Sequence, residues 1–389
     1  MTPPSPRVVI DPGSHHLLNL GDVAMLQVCM ARLRELWPAA RIDVLTAAPD
    51  RLAEHCPDAT PLPARGRYAL IDERRSTWWR RGAARRRDVA VAAYVDGLEA
   101  ADLFLLSGRG GLTDAFPGEA DATLGELALA TRMGKRIALL GQGIGPLTRR
   151  DLRRRAAAIL PAVDLIALRE DAAGPALLAD LGVSPERIAI TGDDAIALVD
   201  TPGESDARSI AVNIRVAQYA GVAPDAVAEL SRAVRGVAEQ LGAPVVPVAL
   251  STHPHEDDAA ALAAGGFGGE PPRTPAQVID RIGGARVMVT GSYHGAVFAL
   301  SRGIPAVAIS ASPYYEGKFR GLRAMFGEGC EVVSLSGPEP AREVGIVARR
   351  LYESGPAPRA GLLAAAASQV EASRAAYARL AALAAQRAA

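Results

Sequence analysis

One histidine stands in the pentapeptide Gly291, Ser292, Tyr293, His294, Gly295, between the runs RVMVT and AVFALSR. RVMVT is apolar, β-branched and followed by glycine, which predicts a buried strand. AVFALSR continues at helical period, and Gly303 and Pro305 stop it, as a glycine past a helix end and a proline beyond it should. AVAIS is then the next strand. In an open parallel sheet, ligands bind outside the carboxyl ends of the strands. His294 falls at such an end, beside a helix N-terminus whose dipole favours an anion. A histidine there can meet an anionic substrate and pass a proton near neutral pH. Its plain alternative is a residue that caps the helix or bonds backbone.

Other strand ends carry further candidates. Arg169 in ALRED and Arg215 in SIAVNIR can clamp a carboxylate or phosphate with two parallel hydrogen bonds; for Arg169 a surface pair with Asp171 is equally open. Asn19, Gly21 and Asp22 sit where a loop meets a helix expected over about Val23 to Leu36, with Asp22 as its N-cap and Gly21 allowing close backbone approach. They read either as a polar pocket floor or as ordinary capping. Gly108, Gly110 and Gly111 form a glycine-rich loop that is not a G-x-G-x-x-G match. Gln142 offers an amide between Gly141 and Gly143, and Asp193 and Asp194 occupy another strand end. His15 and His16 are adjacent and cannot easily share one metal. His253, His255, Glu256 and Asp257 have the residue types of metal ligands, but no distant partner is evident, so an acceptor-binding loop or a helix cap is preferred and no metal is expected.

These loops need a scaffold. The chain has 389 residues, 49% of them apolar, which suits two domains or one large one. Over the first ~195 residues strand, glycine-rich loop and helix alternate about six times, the rhythm of a doubly wound parallel sheet. The polar segment Val199 to Ser209, with Pro202 and Gly203, reads as a linker. The expected organisation is therefore α/β. A Rossmann-like acceptor-side domain covers 1–198, a second Rossmann-like domain with the GSYHG loop covers 210–355, and an Ala-rich helix over 356–389 packs back on both.

Lys plus Arg and Asp plus Glu each number 43, so the net charge is zero and nothing favours nucleic acid. Cys29, Cys56 and Cys330 are far apart and suggest a reducing compartment. The Pro-rich start lacks the apolar segment of a signal peptide, and no apolar run of ~18 residues occurs, which points to the cytoplasm. From Glu73 to Asp88 seven arginines surround Trp78 and Trp79. This stretch reads as a solvated face, a mobile lid, or a rest against an anionic membrane surface or lipid-linked acceptor at its inner face. Membrane contact is at most peripheral, and the oligomeric state is open.

Two such domains facing across a cleft resemble the GT-B architecture. NLGDVAMLQ, the glycine-rich loop, GQGIGP, ALRED, TGDDAI, GSYHGAVFALSRGIPAVAIS and YYEGK, in that order over roughly Val8 to Phe326, resemble the polysaccharide pyruvyl transferase family. The resemblance implies transfer of the pyruvyl group of phosphoenolpyruvate to a sugar, free or lipid-linked, closing a cyclic ketal and releasing phosphate, with no cofactor. It casts His294, held protonated by the donor, as general acid, Arg169 and Arg215 as clamps with Lys318 in support, and Gly291, Ser292 and Gly295 as donor loop. Asn19, Gly21, Asp22, Gly110, Gly111, Gln142, Gly143 and Asp194 fall to the acceptor or pocket, with Asp22 or Asp194 taking the hydroxyl's proton or orienting the sugar. Family members often carry arginine where this chain has Ser292, which leaves that anion contact absent or supplied by Arg215 or Lys318. Arg109 also interrupts the glycine loop. A nucleotide-sugar glycosyltransferase or epimerase of the same architecture, and a catalytically idle sugar-binding relative, are the alternatives.

Overall fold

The computed structural model describes residues 5–73, 88–199, 207–216 and 224–385. Most of the arginine- and tryptophan-rich stretch, positions 74–87, and positions 200–206 of the expected linker lie outside the described residues.

In chain order the first sheet comprises β1 (Arg7–Asp11), β2 (Arg41–Thr46), β3 (Thr60–Pro63), β4 (Leu103–Ser107), β5 (Arg136–Gln142), β6 (Leu165–Leu168) and β7 (Ile188–Ile190). Their spatial order is β3-β2-β1-β4-β5-β6-β7, and every pairing is parallel. The strands are nearly unbroken apolar runs because helices cover both faces of such a sheet; β4 is buried at every position. β3, with two prolines in four residues, has no periodicity to betray it and survives because an edge strand can spare ladder donors.

The second sheet follows with β8 (Ser209–Asn213) and β9 (Val245–Pro247). A two-stranded hairpin intervenes, β10 (Thr252–His253) against β11 (Glu256–Asp257), before β12 (Ala285–Thr290), β13 (Ala306–Ser310) and β14 (Cys330–Ser334). The order β14-β13-β12-β8-β9 is again parallel throughout. Chain order reverses between β1 and β4 in one sheet and between β8 and β12 in the other, the places where open sheets leave a crevice.

Helix α1 (Leu20–Leu36) begins three residues before its expected start. Asn19, not Asp22, is the N-cap, its side chain accepting from Gly21 N, and Asp22 falls in the first turn. Asparagine caps as well as aspartate, so residue type alone could not choose between them. Helix α2 (Tyr293–Ser301) is buried at all nine positions, as a helix with no polar face must be, and it carries His294 into that buried setting.

The two lobes are stitched together beneath their cleft. Leu20 N donates to Leu250 O at 2.8 Å, Thr252 N donates to Leu18 O at 3.1 Å, and Asn19 bridges Ser251 between them. Leu20, Ala24 and Met25 of α1 join the core of the second lobe. A long helix, Arg359–Ala385, crosses both lobes: Leu362 and Ala366 enter that core, while Ala376, Tyr377 and Leu380 pack beneath the first sheet. Among the described residues no helix is long and apolar enough to cross a membrane.

Candidate active site

A cavity of about 370 Å³ lies between the lobes. The first lobe lines it with Gly13 to His16 beyond β1, Arg109 to Gly111 beyond β4, and Arg169 beyond β6. From the second lobe come Arg215 beyond β8, His294 beyond β12, and Tyr314, Tyr315 and Lys318 beyond β13. All of these follow strand carboxyl ends, so the crevice that the strand orders imply is the one that forms.

Ser292 caps α2 through its hydroxyl, which accepts from Gly295 N at 3.5 Å, and this places His294 in the first turn with its ring against the other lobe. The ring is 6% exposed and lines the cavity. Its Nε2 lies 3.5 Å from Asp193 Oδ2. Gly21 of α1 backs the opposite side of the ring so closely that a β-carbon there would lie 2.6 Å from His294 Cβ. Burial pushes the Asp193 carboxyl up, but His294 and Arg169 outweigh it and hold the group below the usual aspartate value.

Two cations converge beside this pair. Arg169 donates one Nη1 contact to Asp193 Oδ2 at 3.4 Å and stacks 4.2 Å from the Tyr293 ring centre. Its Nε and Nη2 are buried with no hydrogen-bond partner. Lys318 Nζ sits 4.3 Å from the Tyr314 ring centre and 5.5 Å from that of Tyr293. Burial, reinforced by Arg169, pushes the Lys318 ammonium well below the ordinary lysine value. A β-carbon on Gly110 would lie 3.0 Å from both Arg169 Nη2 and Lys318 Nζ, and 2.7 Å from the Tyr314 hydroxyl. That hydroxyl donates to Gly110 O at 2.9 Å. Glycine at 110 is therefore what lets the loop meet the cation pair. A buried guanidinium with two unspent donors and a desolvated ammonium are together suited to a carboxylate or phosphate.

The remaining sequence candidates divide. Asn19, Asp22, Gly111 and Arg215 line the cavity. Arg215, however, is committed: its Nε and Nη2 donate to Asp258 at 3.0 and 2.8 Å, so it braces the wall with a pair that leaves little of its fork for a ligand. Gly291, Ser292 and Gly295 do not line the cavity. Gly291 packs on the Arg215 backbone, Gly295 sits against Thr290, and Ser292 is a buried cap. Gly143 stays off the lining too and backs Arg169 from behind. Gln142 spends its amide on Leu106 O and Leu140 O. Asp194 turns away altogether, accepting from Ser373 Oγ at 2.8 Å and Tyr377 Oη at 2.9 Å of the C-terminal helix. Asp193 takes the place beside the histidine. Arg169 pairs with that residue, not with Asp171.

His253 and His255 stand at the cavity rim, with His253 Nδ1 accepting from His255 N at 3.3 Å. Asp257 caps the following helix. Among the described residues no group of three or more His, Cys, Asp or Glu is arranged to hold a metal ion. Sequence reasoning passed over the aromatic floor of Tyr293, Tyr314 and Tyr315. Its signal was the YYEGK spacing, which sets Tyr314 and Lys318 four residues apart on one helix face.

Comparison with known proteins adds two findings. The family model for polysaccharide pyruvyl transferase matches residues 19–313. Among solved structures, a putative UDP-N-acetylglucosamine 2-epimerase from Listeria monocytogenes superposes with a TM-score of 0.58 at 14% identity, covering 94% of this chain and 93% of that one. A UDP co-structure of MnaA from S. aureus gives 0.59 at 13% identity, covering 95% and 94%. A UDP-glucosyltransferase from Polygonum tinctorium gives 0.58 at 14%, covering 99% of each chain. At such identities the likeness establishes the fold, two doubly wound domains in a GT-B-like arrangement. No curated protein matched the sequence.

Proposed function

We propose, from the premise that this chain belongs to the polysaccharide pyruvyl transferase family, that it moves the pyruvyl group of phosphoenolpyruvate onto two hydroxyls of one sugar, in a cell-surface polysaccharide or its precursor. The donor carries a carboxylate and a phosphate on three carbons. Arg169 and Lys318 are the groups to receive those anions, and an anion at Lys318 would restore the charge that burial disfavours. His294 delivers a proton to the donor's methylene carbon, which makes the central carbon electrophilic. Asp193 holds the imidazole through the 3.5 Å contact and ties it to Arg169, so acid and clamp move as one unit. A sugar hydroxyl attacks the central carbon, phosphate departs, and the second hydroxyl closes the ketal.

The observation that carries this reading is the convergence of Arg169 Nη2 and Lys318 Nζ over Gly110, in the cavity that His294 lines. The test is phosphate release from phosphoenolpyruvate across a panel of free, nucleotide-linked and lipid-linked sugars. Release that requires both a sugar and His294 supports pyruvyl transfer. A raised melting temperature with UDP, none with phosphoenolpyruvate and no phosphate release would replace it with nucleotide-sugar chemistry.

A further inference from the structure

The proton lost by the attacking hydroxyl needs a destination, and the first lobe holds a hydrogen-bonded chain that nothing above uses. Tyr68 lines the cavity and is 43% exposed. Its hydroxyl lies 2.7 Å from His15 Nδ1, and His15 Nε2 lies 2.8 Å from Asp11 Oδ1. His15 and Asp11 are both almost completely buried. Asp11 Oδ2 is 3.4 Å from Arg67 and 3.4 Å from Arg109. Burial alone would raise the Asp11 carboxyl, but Arg109, Arg67 and His15 together hold it well below the usual value. The direction of the chain follows. A carboxylate only accepts, so His15 Nε2 carries a hydrogen; in the neutral imidazole Nδ1 is then bare and accepts from the Tyr68 hydroxyl. The lone pairs of the Tyr68 oxygen are then what this chain presents to the cavity. The Tyr68 phenol is pushed up to about 12, chiefly by burial and then by Glu119. A free tyrosinate is therefore disfavoured, and the proton must pass on as it arrives. Arg67 lies 5.4 Å from the Tyr68 ring centre and holds the ring in place.

We propose that Tyr68 is a catalytic residue that relays the acceptor hydroxyl's proton to His15, with Asp11 orienting the imidazole. The inference rests on the pyruvyl-transfer reading. As the acceptor oxygen forms its bond to the donor's central carbon, its proton passes to the Tyr68 oxygen and the Tyr68 proton passes to His15 Nδ1. The carbon–carbon double bond of the donor supplies the electron pair that takes the proton from His294. When the carbon–oxygen bond to phosphate breaks, the proton on His15 returns through Tyr68 and leaves with the phosphate. The second hydroxyl then closes the ketal, and its proton restores the one His294 gave away. Two hydroxyl protons are lost, one to the new methyl group and one to phosphate, and no oxidant or metal is needed for the balance.

The test uses Tyr68→Phe and His15→Gln in the full chain. Phenylalanine keeps the ring and removes the relay oxygen. Glutamine keeps a donor toward Asp11 and an acceptor toward Tyr68, so a purely structural role would survive it. Both variants are expected to lose about 100-fold or more in kcat for acceptor-dependent phosphate release. KM for phosphoenolpyruvate and the melting shift that it induces should stay within about twofold of wild type. Tyr68→Phe with kcat within about threefold of wild type would overturn the relay, and so would a variant whose only defect is weaker phosphoenolpyruvate binding. If wild-type protein releases no phosphate with any acceptor, the pyruvyl-transfer reading itself fails and this inference goes with it.

Discussion

Gly21→Ala isolates the geometry of the catalytic histidine from its chemistry. Gly21 lies in the first turn of α1 and has no special backbone angle, so alanine suits its conformation. In a helix that exchange gains up to about 1 kcal/mol. The obstacle lies in the other lobe. The new β-carbon would sit 2.6 Å from His294 Cβ, and closer still to Cγ and Nδ1. Carbon atoms in contact prefer about 3.5–4.0 Å, so the ring or the helix must retreat by roughly 1 Å. Rotation about the ring bond gives no relief, because Cβ itself is crowded. Overpacking of this kind costs about 1–3 kcal/mol, which the helix gain partly offsets. Stability should therefore fall by no more than about 3 kcal/mol. A displacement near 1 Å at a reacting group costs about 100-fold in rate. Thermal unfolding and acceptor-dependent phosphate release, measured on the same preparation, read the two effects separately. Full activity at wild-type stability would refute the claim that His294 must occupy this position between Gly21 and Asp193.

His294→Ala should lower kcat by about 100- to 10,000-fold, as loss of a general acid does, with little change in melting temperature; retention of activity removes the acid assignment. Arg169→Lys keeps the charge but loses the planar fork, and should raise KM for phosphoenolpyruvate at least about 10-fold, read by steady-state kinetics. Asp194→Asn tests the buried tie to the C-terminal helix. Burial pushes this carboxyl up to about 6, and the charge of Asp193 adds to it, against the bonds from Ser373 and Tyr377. Because the folded value lies above the unfolded one, the carboxyl's stabilising share is complete below about pH 4 and is lost as pH rises through about 6. Wild type should thus lose about 2 kcal/mol relative to Asp194→Asn between pH 4 and 7, read by denaturant unfolding, while phosphate release is unaffected. A pH-independent difference would show that Asp194 is ionised throughout.

The parallel α/β rhythm and the strand-loop-helix-strand unit around His294 are readable from the sequence because apolar runs and glycine punctuation are local signals. What escapes is whatever depends on a distant partner or on one residue of phase. In the Asp193–Asp194 pair a short 3-10 turn sends the first carboxylate to His294 and Arg169 and the second to the C-terminal helix, a choice no residue type reveals. Arg215 looks like an anion clamp until Asp258, 43 residues on, takes its fork. Gln142 looks like a pocket amide until backbone carbonyls of β4 and of its own strand take its Nε2. The partnership of buried Asp11 and His15 with Tyr68 depends on a helix that no motif marks, and Tyr68 lies 53 residues from the histidine it bonds.

The central claim is that Arg169 and Lys318 bind a small, doubly anionic donor beneath His294. Calorimetric titration of phosphoenolpyruvate into wild type, Arg169→Ala and Lys318→Ala, with UDP as the competing ligand, tests it most directly. Phosphoenolpyruvate should bind wild type saturably, either substitution should weaken that binding at least about 10-fold, and UDP should not bind. Equal phosphoenolpyruvate affinity in all three proteins, or binding of UDP alone, would contradict it.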